Sequence, residues 1–187
     1  DAGIFKLDFK SPKFSLYNNL LDSVVLKVDT KNPLFNTFLA LKSAKTPYYE
    51  IEDLRLINNT LQDTLFFRTE FKGGKDHSDR FGLNFYHTFN DTKQSVIGLK
   101  KSSLTFKGAD WYINESGNKD NKVVFNKNLD SVFVSSLVMS SPEQEKVVLN
   151  GQLSDSTYKD IRLSFSKVAL RKIFPRVDSL DLDGRVN

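Results

Sequence analysis

The sequence predicts an all-β fold of about a dozen antiparallel strands, and two observations support this prediction. Apolar and polar residues alternate with a period of two along most of the 187-residue chain, which places successive side chains on opposite faces of a sheet. Turn-forming residues interrupt the alternation at intervals of about 8 to 12 residues, a spacing typical of antiparallel meanders, sandwiches and barrels.

The alternating apolar positions mark the expected strands in chain order. The first half of the chain contributes Phe5, Leu7, Phe9, Val24, Leu26, Val28, Leu54, Leu56, Leu65, Phe67, Phe71, Phe81, Leu83, Phe85 and Phe89. The second half contributes Ile97, Leu99, Leu104, Phe106, Trp111, Ile113, Val123, Phe125, Val132, Val134, Val147, Leu149, Leu153, Ile161, Leu163, Phe165, Leu180 and Leu182. Turn-formers separate these runs at 58–59, 73–76, 90–91, 107–110, 116–118, 140–142 and 154–156.

Two segments depart from the alternation and predict short helices. Asn32 and Pro33 suit the cap and first position of a helix, and apolar residues at helical spacing follow them over 34–41, which predicts about three turns. Residues 166–174 predict one or two further helical turns, because Pro175 would end a helix there. We expect either helix to cap an apolar face of the sheet.

Composition excludes several classes of function. The chain has no Cys, which rules out disulfides, thiolate zinc sites and Cys nucleophiles. Its 27 basic and 23 acidic residues are interleaved, and Lys100–Lys101 and Arg171–Lys172 are the only basic doublets, so we expect no nucleic-acid binding. No apolar run is long enough for a membrane-spanning helix. From the character of both ends we expect residues 1–187 to be one β-rich segment of a larger protein.

No residue pattern in the chain supports catalysis, a cofactor or a metal ion. His77 lies near Asp76 and Asp79, but no second histidine or carboxylate cluster completes a ligand set, so we expect a polar hairpin loop there. His87 is in phase with two phenylalanines and is expected to be structural. The stretch 178–184 has the wrong phase for a calcium loop. Asp155 with Asp160, and Glu143 with Glu145, are expected to be surface charges rather than a glycosidase pair.

The remaining candidate for function is the apolar stripe itself. One face of each predicted strand is apolar, so this face must be covered by the sheet folding over or by a ligand. The two interpretations are the core of a sandwich and a groove that holds lipid. Large rings recur on strand after strand with few small residues to accept them, which favours the groove. The candidate groove residues are Leu65, Phe67, Phe71, Phe81, Leu83, Phe85, Ile97, Leu99, Leu104, Phe106, Val147, Leu149, Ile161, Leu163 and Phe165.

Residues 55–187 resemble the TamB-type translocation and assembly module proteins of Bacteroidetes, which belong to the AsmA-like group. The resemblance rests on strand-and-turn phrases at 65–74 (LFFRTEFKGG), 104–107 (LTFK), 111–113 (WYI) and 121–125 (NKVVF). It continues at 149–151 (LNG), 156–161 (STYKDI), 168–175 (VALRKIFP) and 178–187 (DSLDLDGRVN). None of these phrases is a catalytic signature.

The resemblance implies a segment of a long periplasmic protein that is anchored in the inner membrane and reaches toward an outer-membrane barrel of the BamA type. Its sheet would be elongated and folded lengthwise into a taco-like groove with an apolar interior. The implied clients are phospholipids or outer-membrane proteins, and no catalytic residues are carried over. Exposed edge strands would suit the second kind of client, because they can pair with an incoming strand.

Two other functions are compatible with the sequence. A β-sandwich carbohydrate-binding or adhesive module would present Trp111, Tyr112, Tyr48 and Tyr49 on a flat platform for sugar stacking. A purely structural spacer within an envelope protein would bind neither lipid nor glycan.

Overall fold

The protein is described by a computed structural model over residues 3–17, 19–46, 49–74, 76–155, 158–169 and 185–186. Its strands are β1 (Lys6–Leu16), β2 (Asn19–Asp29), β3 (Thr37–Lys45), β4 (Glu50–Leu61), β5 (Thr64–Gly73), β6 (Asp79–Phe89), β7 (Ser95–Leu99), β8 (Ser102–Phe106), β9 (Ala109–Ile113), β10 (Lys122–Phe125), β11 (Ser131–Ser140), β12 (Lys146–Ser154), β13 (Tyr158–Ser166), β14 (Val168–Ala169) and β15 (Arg185–Val186). Strands β1 to β13 form one antiparallel sheet, and β14 pairs with β15 separately. The all-β antiparallel prediction is confirmed.

The sheet follows the chain closely. Strands β1 to β7 are neighbours in sequence order, followed by β10 to β13, while β8 pairs with β6 and β9, and β9 also pairs with β11. The contacts divide the chain into two compact units, which we call the first unit (1–86 and 104–108) and the second unit (87–103 and 109–187). Each unit contains buried apolar side chains of its own.

The prediction of a helix after Asn32 is wrong. Residues 30–36 form turns, and the rest of the predicted helix is strand β3, which pairs with β2 and β4 on its two sides. The Asn32 side-chain oxygen accepts a hydrogen bond from the Leu34 backbone N–H at 2.8 Å, so Asn32 closes a tight Asx turn instead of capping a helix. Because β2 and β4 each have a free edge beside this segment, pairing with both of them favours an extended β3.

The second predicted helix is also absent from the part that the structure describes. Ser166 ends β13, Lys167 has a φ of 57°, and Val168 and Ala169 form β14. Residues 170–174 lie outside the described residues, as do the expected strand positions Leu180 and Leu182 and the calcium-like stretch 178–184. No helix occurs in the described ranges, and therefore none there that could span a lipid bilayer.

Strands β1 to β4 pair in one unshifted register. Residues directly opposite each other in antiparallel strands share a face. One row on the apolar side runs Phe9, Leu26, Leu39, Leu56 and Thr69, and the next runs Leu7, Val28, Thr37, Asn58 and Phe67. We call the side of β1 to β6 that carries these rows the first apolar face.

A line of interrupted pairing crosses these four strands. The row Pro12, Ser23, Lys42 and Asp53, which we call the crease, lacks the cross-strand pairing found on either side of it. Within this row Ser23 and Asp53 have left-handed φ angles of 55° and 52°. In a regular strand, residues three apart lie on opposite faces. A left-handed residue between them changes this relation.

The crease turns side chains from both of its sides into one cluster, which we call the inner corner. Its buried members are Val24, Leu41 and Ala44, and Leu21, Leu39, Ile51 and Leu54 pack against them. Each left-handed non-glycine residue costs about 1–2 kcal/mol. Burying Val24 and Leu41 contributes about 1.5–3 kcal/mol each, which is enough to offset the two strained residues.

The second unit departs from regular strand pairing in a different way. Val134, Gly151 and Ile161 share a row across β11, β12 and β13, and the register of β11 and β12 shifts by one residue between Val134 and Leu137. This bulge keeps Val134 and Leu137 on the same face. Gly151 has a φ of 139°, and a Cβ there would collide with the Asp160 carbonyl oxygen and the Ile161 Cα, so only glycine allows the strands to approach this closely.

Candidate functional site

The structure divides the predicted groove residues between the two units. The first unit contains Leu65, Phe67, Phe71, Phe81, Leu83, Phe85, Leu104 and Phe106. The second unit contains Ile97, Leu99, Val147, Leu149, Ile161, Leu163 and Phe165. The candidate site is therefore two apolar surfaces, each with its own geometry.

In the first unit, β5 and β6 bring four of the predicted phenylalanines together. Phe67 stacks on Phe85 with ring centroids 4.8 Å apart, and Phe71 stacks on Phe81 at 4.4 Å, with an interplanar angle of 12° in both pairs. We call these two pairs the aromatic ladder. Stacked aromatic pairs contribute about 0.5–1.5 kcal/mol beyond their buried area. All four rings are only half-buried, so their outer surfaces remain available.

The other predicted residues of the first unit lie beside the ladder. Leu65 and Leu83 are half-buried, and strand alternation places them on the ladder's side of β5 and β6. Leu104 and Phe106 belong to β8, which pairs with β6, and both are half-buried. The Lys107 ammonium nitrogen lies 5.2 Å from the centre of the Phe106 ring, within the range of a cation–π contact.

The first apolar face extends well beyond the predicted residues. Rows of cross-strand partners carry it from β5 back to β1 through residues that sequence reasoning did not assign to the site, namely Leu7, Phe9, Val24, Leu26, Val28, Leu39, Leu41, Leu54 and Leu56. Alternation had marked most of these positions as strand. Those on β3 were missed because their spacing was interpreted as helical.

Burial on this face is uneven. The inner corner is buried, whereas Leu7, Phe9 and Phe14 on β1 are exposed, and Leu26 and Leu56 are half-buried. Since every described strand of the first unit belongs to the same sheet, any cover that these strands provide comes from the bend of that sheet. The exposed part of this face includes Leu7, Phe9 and Phe14 on β1.

Tyr49 lies where the first apolar face meets the end of β5. Its ring contacts Phe81 edge-on, with centroids 6.4 Å apart at 80°. Its hydroxyl donates a hydrogen bond of 2.8 Å to Oδ2 of Asp79, a carboxylate that is only 5% exposed. Burial and this hydrogen bond together raise the pKa of Tyr49 above its ordinary value, so the hydroxyl stays a donor at physiological pH.

In the second unit, the predicted residues of β12 and β13 share one face. Val147 pairs with Phe165 and Leu149 with Leu163, and Ile161 lies opposite Gly151. We call this side of β10 to β13 the second apolar face. Its further members, which sequence reasoning did not assign to the site, are Val123, Phe125, Val132, Val134, Leu137, Met139 and Leu153. Ile161 and Leu163 are 45% and 54% exposed.

The two predicted residues on β7 connect to this face through β10. Ile97 lies directly opposite Val123, which in turn lies opposite Val134. Leu99 is two residues further along β7, so alternation puts it on the same side. Both side chains are half-buried.

The aromatic platform that a carbohydrate-binding module would need does not form among the described residues. Trp111 is only 3% exposed, so it cannot stack on a sugar ring. Tyr112 is half-buried on β9, and the Tyr49 hydroxyl is bonded to Asp79. Tyr48 lies outside the described residues. The three described residues therefore do not form a flat, exposed set of rings.

The polar candidates lie in structural settings. His77 Nδ1 lies 3.4 Å from a Glu52 carboxylate oxygen, and the His87 ring packs edge-on against Phe89. The expectation that Glu145 is a surface charge is wrong, because Glu145 is buried and its carboxylate accepts hydrogen bonds from the Ser141 hydroxyl and the Ala169 backbone N–H. Asp160 forms an ion pair with Arg162 of the same strand. Among the described residues, no group of three His, Asp or Glu side chains is arranged to hold a metal ion.

No protein-family model, no curated protein and no solved structure matches the chain. The geometry defines the protein as an antiparallel sheet protein with exposed apolar side chains on both apolar faces, such as Leu7 and Phe9 on the first and Ile161 and Leu163 on the second. The resemblance to TamB-type proteins stays a prediction.

Proposed function

We propose that the first apolar face shields hydrocarbon, and specifically the acyl chains of lipids, from water. The observation that carries this proposal is the aromatic ladder together with the rows of Leu, Val and Phe that extend from it to β1, where their side chains become exposed. An acyl chain gains roughly 0.8 kcal/mol for each methylene that leaves water. A smooth apolar surface offers that gain without a specific recognition site, which suits transport better than tight binding.

The resemblance to TamB-type proteins supplies the finer part of the proposal. On that basis the chain is a non-catalytic segment of a periplasmic protein anchored in the inner membrane, and its partner is an outer-membrane barrel of the BamA type. Phospholipid would be its client. The second apolar face would continue the same role in the second unit, because Ile161 and Leu163 present a similar exposed stripe.

Lipid extraction from the purified protein tests the proposal. We expect phospholipid to co-purify with the protein and a polarity-sensitive probe to fluoresce on it. Phe85→Asp should abolish both signals, because it puts a charge into the ladder. Phe66→Asp is the matched control, since Phe66 lies on the other face of the neighbouring strand. There its ring centroid is 6.3 Å from that of Tyr86. The proposal would be overturned if the protein purified without lipid and did not bind the probe. It would also be overturned if both variants folded and lost the two signals equally.

A second candidate function is the acceptance of strands from nascent outer-membrane proteins. Strand β1 is 11 residues long, and among the described strands it pairs with β2 alone, which leaves one edge for an incoming strand. Pro12 lacks an N–H donor and limits pairing near the crease. Because the chain has no Cys, a cysteine introduced at Lys10 would be unique and could be cross-linked to a peptide from a barrel strand. Absence of cross-linking with every such peptide would contradict this function.

A further inference from the structure

The ring of Tyr49 lies at a point on the sheet where a row of apolar side chains reaches a glycine and stops. Past the crease, the inner row runs Leu21, Ala44, Ile51 and then Gly73 on β5. The first three carry side chains of the inner corner, but Gly73 has none. A Cβ at Gly73 would collide with the aromatic ring of Tyr49, so the ring lies directly on the β5 backbone where a side chain of this row would stand.

Several contacts hold the ring in this position. The Tyr49 backbone is fixed by Thr46, whose hydroxyl accepts from the Tyr49 N–H at 2.9 Å and donates to the Tyr49 carbonyl at 2.8 Å. The far end of the ring is held by Asp79, whose second oxygen accepts from the Lys107 N–H at 2.8 Å. The ring is thus fastened at both ends while its edge meets Phe81.

The position of the ring places a polar boundary across an apolar path. An acyl chain that runs from β2 toward β4 passes over the half-buried side chains of Leu21, Leu39 and Leu54, which pack on the buried part of the inner corner, and then reaches Tyr49 at β5. The hydroxyl and the buried Asp79 carboxylate lie immediately beyond the ring. Hydrocarbon that went further would have to displace a satisfied hydrogen bond, which is unfavourable in a buried setting.

We propose that Tyr49 is an end stop of the first apolar face and sets the length of acyl chain that can lie over the inner corner. This inference rests on the proposed function and assigns it a specificity-determining residue. A stop of this kind selects single acyl chains by length, since each methylene on the near side of the ring is shielded and each one beyond it stays in water.

A homologous series of saturated fatty acids, each below its critical micelle concentration, tests the stop. In the unaltered protein we expect affinity to rise about fourfold per added methylene and then to level off at a defined length. In Tyr49→Ala the rise should continue for several more methylenes, because the space above Gly73 is opened. Tyr49→Phe keeps the ring, and should keep the plateau at the original length.

Two further measurements separate a stop from general loosening. Tyr86→Ala removes a ring from the opposite face and should leave the plateau unchanged. A fatty acid with a terminal diazirine should label Tyr49 or Phe81 in the unaltered protein at the plateau length, a measurement that needs no substitution. If fatty acids bind but the plateau length is the same in Tyr49→Ala, or if the label in the unaltered protein falls on neither Tyr49 nor Phe81, the stop is overturned and the proposed function stands. If no fatty acid binds the unaltered protein, both are overturned.

Discussion

Strands β2 to β4 and strands β11 to β13 each carry an apolar face, but the two faces are buried to different extents. In β2 to β4 the crease turns side chains from both of its sides into the inner corner and buries Val24, Leu41 and Ala44. In β12 and β13 the pairing is continuous from Lys146 to Ser154, and Ile161 and Leu163 stay about half exposed.

The difference teaches what a single sheet needs in order to cover itself. A flat antiparallel ladder keeps one face open to solvent unless another layer packs on it. A transverse line of interrupted pairing, with left-handed residues on two of its strands, allows the same sheet to supply that layer. The crease therefore decides which apolar residues become core and which remain surface.

The largest effect is expected where the second region depends on one glycine. Gly151→Ala should lower the free energy of unfolding by about 4 kcal/mol, because the new Cβ meets the backbone of β13 and the residue has a positive φ. Gly108→Ala is the control, since Gly108 also has a positive φ but has open space around its Cβ position, and it should cost about 1 kcal/mol. Denaturant unfolding measures both. Equal costs would show that the close approach of β12 and β13 is not needed.

The next effect compares the buried and open faces directly. Leu41→Ala should cost about 3 kcal/mol, because Leu41 is 9% exposed within the inner corner. Leu163→Ala should cost about 1 kcal/mol or less, since more than half of that side chain is already in water. Thermal and denaturant unfolding of the two variants would reveal the contrast. A Leu163 variant as unstable as the Leu41 variant would mean that the second apolar face is covered in solution.

A smaller effect of opposite sign is expected at the crease itself. Ser23→Gly should stabilise the protein by about 0.5–1 kcal/mol, because glycine adopts the left-handed φ of 55° without strain. Ser43→Gly, one position past the crease on β3, should instead destabilise it by a similar amount, since it only adds freedom to the unfolded chain. If Ser23→Gly is as harmful as Ser43→Gly in the same unfolding measurement, the crease is not strained.

The smallest effect concerns charge on the outer side of the crease. A hydrogen bond from Lys72 at 2.9 Å, reinforced by its charge and by those of Arg55 and Lys42, lowers the pKa of Asp53 below its usual value. A lowered carboxyl pKa stabilises the fold above the unfolded value of about 3.9, and this contribution disappears as the pH falls through the folded pKa.

The Asp53 carboxyl can be followed by NMR titration. Its pKa should return toward the ordinary value in Lys72→Met and stay low in Lys6→Met, since Lys6 pairs instead with Asp29 at 3.1 Å. An unchanged titration in the Lys72 variant would mean that the ion pair does not form in solution.

Much of the fold could be predicted from the sequence because alternation is a local signal. The positions of Phe67, Phe71, Phe81 and Phe85 on one side of two strands follow from their spacing alone. Their pairing into stacks does not, because register depends on which residues lie opposite each other across the hairpin. The apolar spacing over residues 34–41 is compatible with helix or strand, and pairing with β2 and β4 decided for strand from Thr37 onward.

The crease and the Tyr49 contacts had no usable signal in the sequence. Ser23 and Asp53 look like ordinary strand positions in the sequence, because only the alignment of neighbouring strands puts them in one row. A left-handed φ at a non-glycine residue can rarely be predicted from the residue type. Trp111 was a plausible sugar platform by residue type, but the structure buries it.

By itself, the sequence determined that the chain is all-β and antiparallel, and it determined which side chains on each strand are apolar, because a period of two is set by the geometry of the extended backbone. Only the tertiary structure decided where that apolar surface bends and where it stays open. Those outcomes depend on cross-strand register and on a few strained residues whose cost is offset by burial in the folded sheet.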